Sequence, residues 1–187
     1  MPRLFFAIDL PGDIKDRLSP VPQLLRLVGP HVRPVGRGSL HLTCLFLGEQ
    51  PEHAIADLCE LAIQAVTPAR ACALEIGPPG FFPRVSFLTL TGEIETLAMI
   101  SHVLGEACGS YLERPEDRPF AAHVTMARLK RGLTSSEKAK IVEILSPFQG
   151  LGWVASEMIL FKSDLTPKGP IYTPVERFPF GSGLKAE

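Results

Sequence analysis

One five-residue pattern occurs twice in this chain and limits what it can fold into. Leu40-His41-Leu42-Thr43-Cys44 and Ala122-His123-Val124-Thr125-Met126 share the order apolar, His, apolar, Thr, apolar, and 82 residues separate the two histidines in a chain of 187. In a β-strand, residues i and i+2 project to the same face and their neighbours to the other. His41 and Thr43 therefore share a face, as do His123 and Thr125. The apolar neighbours Leu42, Cys44, Val124 and Met126 belong on a core. Each pattern predicts a strand with one buried face and one face open to a cleft. Repetition at nearly half the chain length reads as a diverged duplication, with two lobes related by a pseudo-twofold axis and one His-x-Thr motif in each. The whole chain, residues 1–187, is then a single domain.

The remaining elements follow from periodicity and turn residues. Arg3–Leu10 is a strand closed by Pro11-Gly12. A helix follows from about Asp13, broken or bent by Pro20 and Pro22, and residues 32–38 are extended or looping. Leu40–Leu47 is a strand ended by Gly48. A helix then runs from Pro51 to about Val66. Ala71–Ile76 and Val85–Leu90 are strands around a Gly/Pro-rich turn that includes Gly77-Pro78-Pro79-Gly80. A helix runs from Glu93 and Glu95 through Ala107, and Phe120–Leu129 is a strand. Thr134-Ser135-Ser136-Glu137 is a capping box that starts a helix to about Leu145. Trp153–Phe161 and Ile171–Phe178 close the chain as strands, paired as a hairpin. Strand–helix alternation interrupted by hairpins predicts an α+β fold with antiparallel sheets.

Composition excludes several classes. A formal net charge of −1 argues against a protein that coats long nucleic acid, though not against one that grips a phosphate locally. Hydrophobic residues make up 45% of the chain, enough for a substantial core. The opening MPRLFFAIDLPG reads as a strand and not as a secretory segment, and no stretch approaches a membrane span. The cysteines Cys44, Cys59, Cys72 and Cys108 form no C-x-x-C pair. A soluble cytoplasmic monomer with reduced thiols is expected, without membrane partners.

Two imidazoles and two hydroxyls around one small volume suit phosphodiester hydrolysis. The reaction needs a base to take a proton from water and an acid to protonate the departing alkoxide, and histidine serves both near neutral pH. Threonine hydroxyls can hold the non-bridging oxygens. No metal ion or cofactor is required. His53 and His102 fall in helices and read as surface residues. His31 shares a loop with Arg33 and Arg37, a solvated basic segment that could also meet an RNA backbone. No ligand cluster supports a zinc site, and neither a G-x-S-x-G nor a P-loop pattern is present.

The chain resembles the bacterial and archaeal RNA 2′,3′-cyclic phosphodiesterases, long called 2′–5′ RNA ligases, of the two-histidine (2H) phosphoesterase superfamily. The residues that carry the resemblance are RLFFAIDLP, HLTCLFLGE, RPFAAHVTMARLK and SDLTPKGPIYTPVERF, in that order along nearly the whole chain. The resemblance implies a bilobal α+β fold with two antiparallel sheets facing a central cleft and helices outside. It implies metal-free hydrolysis of a terminal RNA 2′,3′-cyclic phosphate to a 2′-phosphomonoester. His41 is implied to be the general acid that protonates O3′, His123 the general base that activates water, and Thr43 and Thr125 the phosphate-binding hydroxyls. Arg128 matches a basic position near the phosphate. Phe46, at the equivalent offset in the first motif, is implied either to contact the terminal base or to pack beneath it. Each of these two lies five residues past its histidine, so regular alternation turns it to the opposite face unless the strand ends, twists or bulges. Arg84 is a weaker basic candidate. Cys44 and Met126 stand where the family commonly has leucine. Two rivals stay open: the reverse ligation of a cyclic phosphate to a 5′-hydroxyl, and an RNA-binding module without catalysis. The second is disfavoured by one tryptophan, two tyrosines and the lack of an RNP-like motif.

Overall fold

The computed structural model describes residues 1–112, 119–167 and 169–181. Arg118, which opens the third of the four matching segments, and Lys168, in the last, lie outside them. Nine strands and five α-helices are described: β1 (Arg3–Asp9), α1 (Gly12–Arg17), α2 (Val21–Arg26), β2 (Val32–Pro34), β3 (His41–Glu49), α3 (Ala54–Val66), β4 (Cys72–Phe82), β5 (Val85–Gly92), α4 (Ile94–Ala107), β6 (His123–Leu129), α5 (Ser135–Leu145), β7 (Gly152–Ala155), β8 (Glu157–Thr166) and β9 (Gly169–Pro179). The strands form two sheets, one ordered β3-β1-β8-β9 and the other β2-β6-β5-β4-β7. Every strand pair is antiparallel. Helices α3 and α4 pack on the first sheet, and α2 and α5 on the second. The α+β architecture with two antiparallel sheets is the one the sequence predicts.

The sheets meet where β3 packs against β6, so the two motif strands are neighbours across the boundary. A single core joins Leu4, Phe6 and Ile8 of β1 with Leu88 and Leu90 of β5 and with Val124 and Met126 of β6. β1 is buried on both faces: its alternate residues Phe5 and Ala7 join Ile159 and Phe161 in a second, smaller cluster beneath Tyr172. That cluster underlies the cleft face of the first sheet.

Several expected boundaries differ; the strand expected from Phe120, for one, begins at His123. Gly48 does not end β3. It adopts φ 75°, a left-handed conformation open to glycine, and takes part in a bulge that lets the strand run on to Glu49. Gly77-Pro78-Pro79-Gly80 is not the hairpin turn but part of β4, and the turn is Pro83-Arg84. β7 pairs only with Cys72–Glu75, which leaves the later part of β4 at a sheet edge, where prolines lacking an N–H are tolerated. Gly77 and Pro78 bulge opposite Thr89, whose hydroxyl donates to the Pro78 carbonyl at 2.7 Å. Trp153–Phe161 is not one strand. The chain leaves the second sheet after Ala155 and enters the first at Glu157, so β7 and β8 serve different sheets. The helix expected from Pro51 begins at Ala54.

The capping box is formed as expected: the Thr134 hydroxyl accepts from the Glu137 amide at 3.2 Å, and the Glu137 carboxylate accepts from the Thr134 amide at 2.8 Å. Arg131 adds a paired contact to the same carboxylate, which is held down to about 2 by that guanidinium and by the Thr134 amide. Because α5 braces the second sheet, Thr134→Ala is expected to lower stability by about 1 kcal/mol, seen as an earlier midpoint in urea unfolding.

Candidate active site

Both histidines are held by the same local device. The Nδ1–H of His41 donates to the Ser39 carbonyl at 2.9 Å, and that of His123 to the Ala121 carbonyl at 2.6 Å. In each motif the acceptor lies two residues before the histidine. A carbonyl can only accept, so the contact fixes the Nδ1–H tautomer of the neutral ring and leaves Nε2 for chemistry. In His41 that Nε2 accepts from the Thr43 hydroxyl at 3.0 Å.

The parity problem at Phe46 and Arg128 is solved by paired bulges. In the ladder between β1 and β3, Phe6 faces Leu45 and Ala7 faces Thr43, so Cys44 is an extra residue. In the ladder between β5 and β6, Ser86 faces Ala127 and Phe87 faces Thr125, so Met126 is an extra residue. Each bulge falls three residues after its histidine. Cys44 with Leu45, and Met126 with Ala127, are consecutive buried pairs, after which alternation resumes one step out of phase. Phe46 and Arg128 thus return to the faces that carry His41 and His123.

Phe46 is 45% exposed, which overturns core packing as its role, and the Arg3 guanidinium sits 4.8 Å above its ring. His41, Thr43, Phe46 and Arg128 line one cavity of about 350 Å³, together with Arg3 and Tyr172. His123 and Thr125 do not line it; they stand further along the face of β6 that carries Arg128. The other candidates lie elsewhere. Arg84 donates to the Lys130 carbonyl, tying the β4–β5 turn to the end of β6. His31 stands 3.2 Å from a Glu137 oxygen, His53 immediately precedes α3 without a capping side-chain hydrogen bond, and His102 is exposed on α4 beside Glu106.

Sequence reading missed the aromatic supports and one ion pair. Phe5 at 4.9 Å and Tyr172 at 5.2 Å flank the ring of His41, while Phe82 at 5.2 Å and Phe87 at 5.0 Å flank that of His123. Phe87 lies over Gly80, where a Cβ would come within 2.4 Å of its ring; the glycine makes room for it. Asp9 is the cross-strand partner of His41 and is neutralised by Lys15 at 2.6 Å. These partners come from strands remote in sequence, and only the Phe5-to-Asp9 alternation of β1 hinted at them.

Burial pushes the His41 imidazole down from the ordinary 6.5 to about 4; the Ser39 carbonyl and Asp9 pull it up, and Lys15 and Arg128 push it further down. His41 is therefore neutral in the unliganded protein at pH 7. The free cysteines are also pushed up by burial, Cys44 to about 12 and Cys108 to about 11, so they are thiols. Among the described residues, no group of three His, Cys, Asp or Glu side chains could hold a metal ion, and no helix is long and apolar enough to cross a membrane.

The profile of the 2′-5′ RNA ligase superfamily matches residues 16–166. A curated relative from Thermus thermophilus, named RNA 2′,3′-cyclic phosphodiesterase, is 32% identical over 94% of this chain and 89% of its own. A solved structure from the same species superimposes with a TM-score of 0.78 at 28% identity, covering 96% of this chain and 98% of the other. Escherichia coli LigT complexed with 3′-AMP superimposes with a TM-score of 0.73 at 26% identity, over 96% and 98% of the two chains.

Two titrations test the electrostatics. In NMR, the His41 ring is expected to protonate near pH 4, and Arg128→Ala is expected to move that titration upward. A folded-state value below the unfolded one makes the unfolded chain the stronger proton binder from pH 6.5 to about 4. Stability should fall as pH falls through that window, by about 3 kcal/mol at most. In denaturant unfolding, His41→Gln should flatten that slope.

Proposed function

The chain belongs to the 2′-5′ RNA ligase superfamily, and on that premise we propose that it hydrolyses RNA 2′,3′-cyclic phosphate ends to 2′-phosphomonoesters by a metal-independent two-histidine mechanism. The observation that carries the reading is the matched pair of His-x-Thr strands, each with Nδ1 tied to the carbonyl two residues back, which leaves Nε2 as the nitrogen for proton transfer. The name of the Thermus thermophilus relative supplies the RNA end and the cyclic phosphate.

His123 takes a proton from water at Nε2 as the water oxygen attacks phosphorus. The P–O3′ bond breaks, and His41 gives its Nε2 proton to O3′. The products are a 2′-phosphomonoester and a free 3′-hydroxyl. Thr43 and Thr125 donate to the non-bridging oxygens, and Arg128 balances the charge that builds there. His41 is neutral without substrate, so its proton must come with binding. The phosphodiester's negative charge, set against a buried ring, favours the imidazolium and raises its pKa. Thr43 then turns its hydroxyl from Nε2 of His41 to the phosphate. Phe46, backed by Arg3, offers its exposed face to the terminal base.

We read the sheets as two pseudo-twofold-related lobes of a single domain. The carbonyl at −2, the threonine at +2, the bulge at +3 and the cleft residue at +5 recur around each histidine. We read the protein as a monomer. Four free thiols fit a reducing cytoplasm.

An assay on a cyclic-phosphate RNA end, with chelator present, tests the proposal. Turnover is expected to persist in chelator and to release the 2′-phosphomonoester. His41→Ala and His123→Ala should each lower kcat by about 10²–10⁴-fold. A 3′-phosphate product would reverse the acid and base roles, and intact turnover in both variants would remove the histidines from catalysis. Supplying 5′-hydroxyl RNA and quantifying joined product measures the reverse reaction at the same site.

A further inference from the structure

The cleft face of the second sheet carries a charge pattern that the two-histidine chemistry leaves unused. Arg33 of β2 stands directly opposite Arg128 of β6. Both point away from the core, because the adjacent cross-strand pair, Val32 and Leu129, is buried. Like charges directly opposite on neighbouring strands repel. Lys130, two residues beyond Arg128 and exposed like it, continues the strip, its amide bonded to the His31 carbonyl at 3.0 Å. Among the described residues, none of these three cations has an acidic partner. Nearby cations are neutralised instead: Lys15 by Asp9, Arg37 by Asp16 and Arg131 by Glu137.

The strip starts inside the cavity, since Arg128 lines it with His41 and Thr43. It then passes over β2, the free edge of the sheet. Neighbouring strands lie about 4.8 Å apart, so the guanidinium of Arg33 follows one strand further out. A mononucleotide cyclic phosphate has a single phosphate, which the threonines and Arg128 would occupy. An RNA chain brings further anions that must leave the site along some path.

We infer that Arg33 and Lys130, continuing from Arg128, form a second phosphate subsite that holds the internucleotide phosphate upstream of the reacting end. The inference rests on the proposed hydrolysis of RNA cyclic-phosphate ends. It makes the protein selective for oligonucleotides over mononucleotides, and it explains why a chain of net charge −1 keeps this strip uncompensated. Neither residue takes part in proton transfer, so both act through substrate position and affinity.

The test compares a mononucleotide 2′,3′-cyclic phosphate with a trinucleotide that ends in one. For the trinucleotide, Arg33→Ala is expected to lower kcat/KM by about tenfold through KM, with Arg33→Lys retaining most of it. Lys130→Ala should add to the loss. The mononucleotide should be turned over by both variants as by the wild type. The fall of log kcat/KM with log salt should become shallower by about 0.7 for each phosphate contact removed. Arg33→Ala should unfold no earlier than wild type, because it relieves a like-charge pair; earlier unfolding would mean a structural role. Equal losses on both substrates, or none on the trinucleotide, would overturn the subsite. So would losses confined to Lys162→Ala, which lines the adjoining groove of about 690 Å³ and not the cavity that holds His41. Fluorescence anisotropy with a trinucleotide ending in a 2′-phosphate provides an arm free of turnover. If the wild type hydrolyses neither substrate, the hydrolytic reading falls, and salt-dependent binding weakened or unaffected by Arg33→Ala still decides the subsite.

Discussion

Alternation on β3 and β6, interrupted by a bulge three residues past each histidine, is the constraint on which the site depends. Up to the bulge, every second residue is committed to a core that both sheets share, so Leu42, Cys44, Val124 and Met126 belong to it and His41, Thr43, His123 and Thr125 face away from it. A strand that stayed regular would have sent Phe46 and Arg128 into that core, and a buried arginine without a partner is costly. The extra residues at Cys44 and Met126 reverse the phase without ending the strands. A third functional side chain thereby joins the first two on each cleft face. The small, flexible or unbranched side chains at these two positions suit a place where two consecutive residues must both turn inward.

Net charge says little about such a protein, because the relevant field is local. Lys15, Arg37, Arg131, Lys162 and Arg177 are each matched by a carboxylate. The cations left over on the second sheet lie in a line from the cavity to a sheet edge. A polyanion that meets this surface finds one attractive track on a nearly neutral molecule, which favours gripping a chain end over coating a chain.

Much of this was legible in the sequence. The paired motif, the opening strand β1 and the Thr134–Glu137 capping box each carry their signal within a few residues, and each forms as read. What was not legible depends on partners. A bulge is a mismatch between two strands, so Cys44 gives no sign of it without Phe6 and Ala7 opposite. Gly77-Pro78-Pro79-Gly80 has turn composition, yet it lies at a sheet edge because β7 stops pairing at Glu75. The break at Ser156 reflects the allegiance of β7 and β8 to different sheets, and both segments are equally strand-like. Tyr172 and Phe82 reach the histidines from strands far away in the chain. The alternatives for Phe46 turned on burial, which sequence parity alone answered in the wrong direction.

The two histidines are built alike and solvated differently, and the difference bears on how a paired site can divide its labour. Each ring has its Nδ1–H on a carbonyl and aromatic rings on its flanks. Around His41 those rings, Phe5 and Tyr172, belong to the buried cluster with Phe161, so water is excluded and the charged form is penalised. Beside His123, Phe82 is 41% exposed. A ring that loses its proton to desolvation regains it most readily when an anion replaces the missing water. In the proposed reaction, protonation of His41 is thus coupled to occupancy of the cleft by a phosphate, and the proposed acid is charged when substrate is there to receive its proton. The same desolvation that keeps His41 unprotonated at neutral pH makes its proton easy to give once the leaving oxygen carries developing charge in a dry pocket.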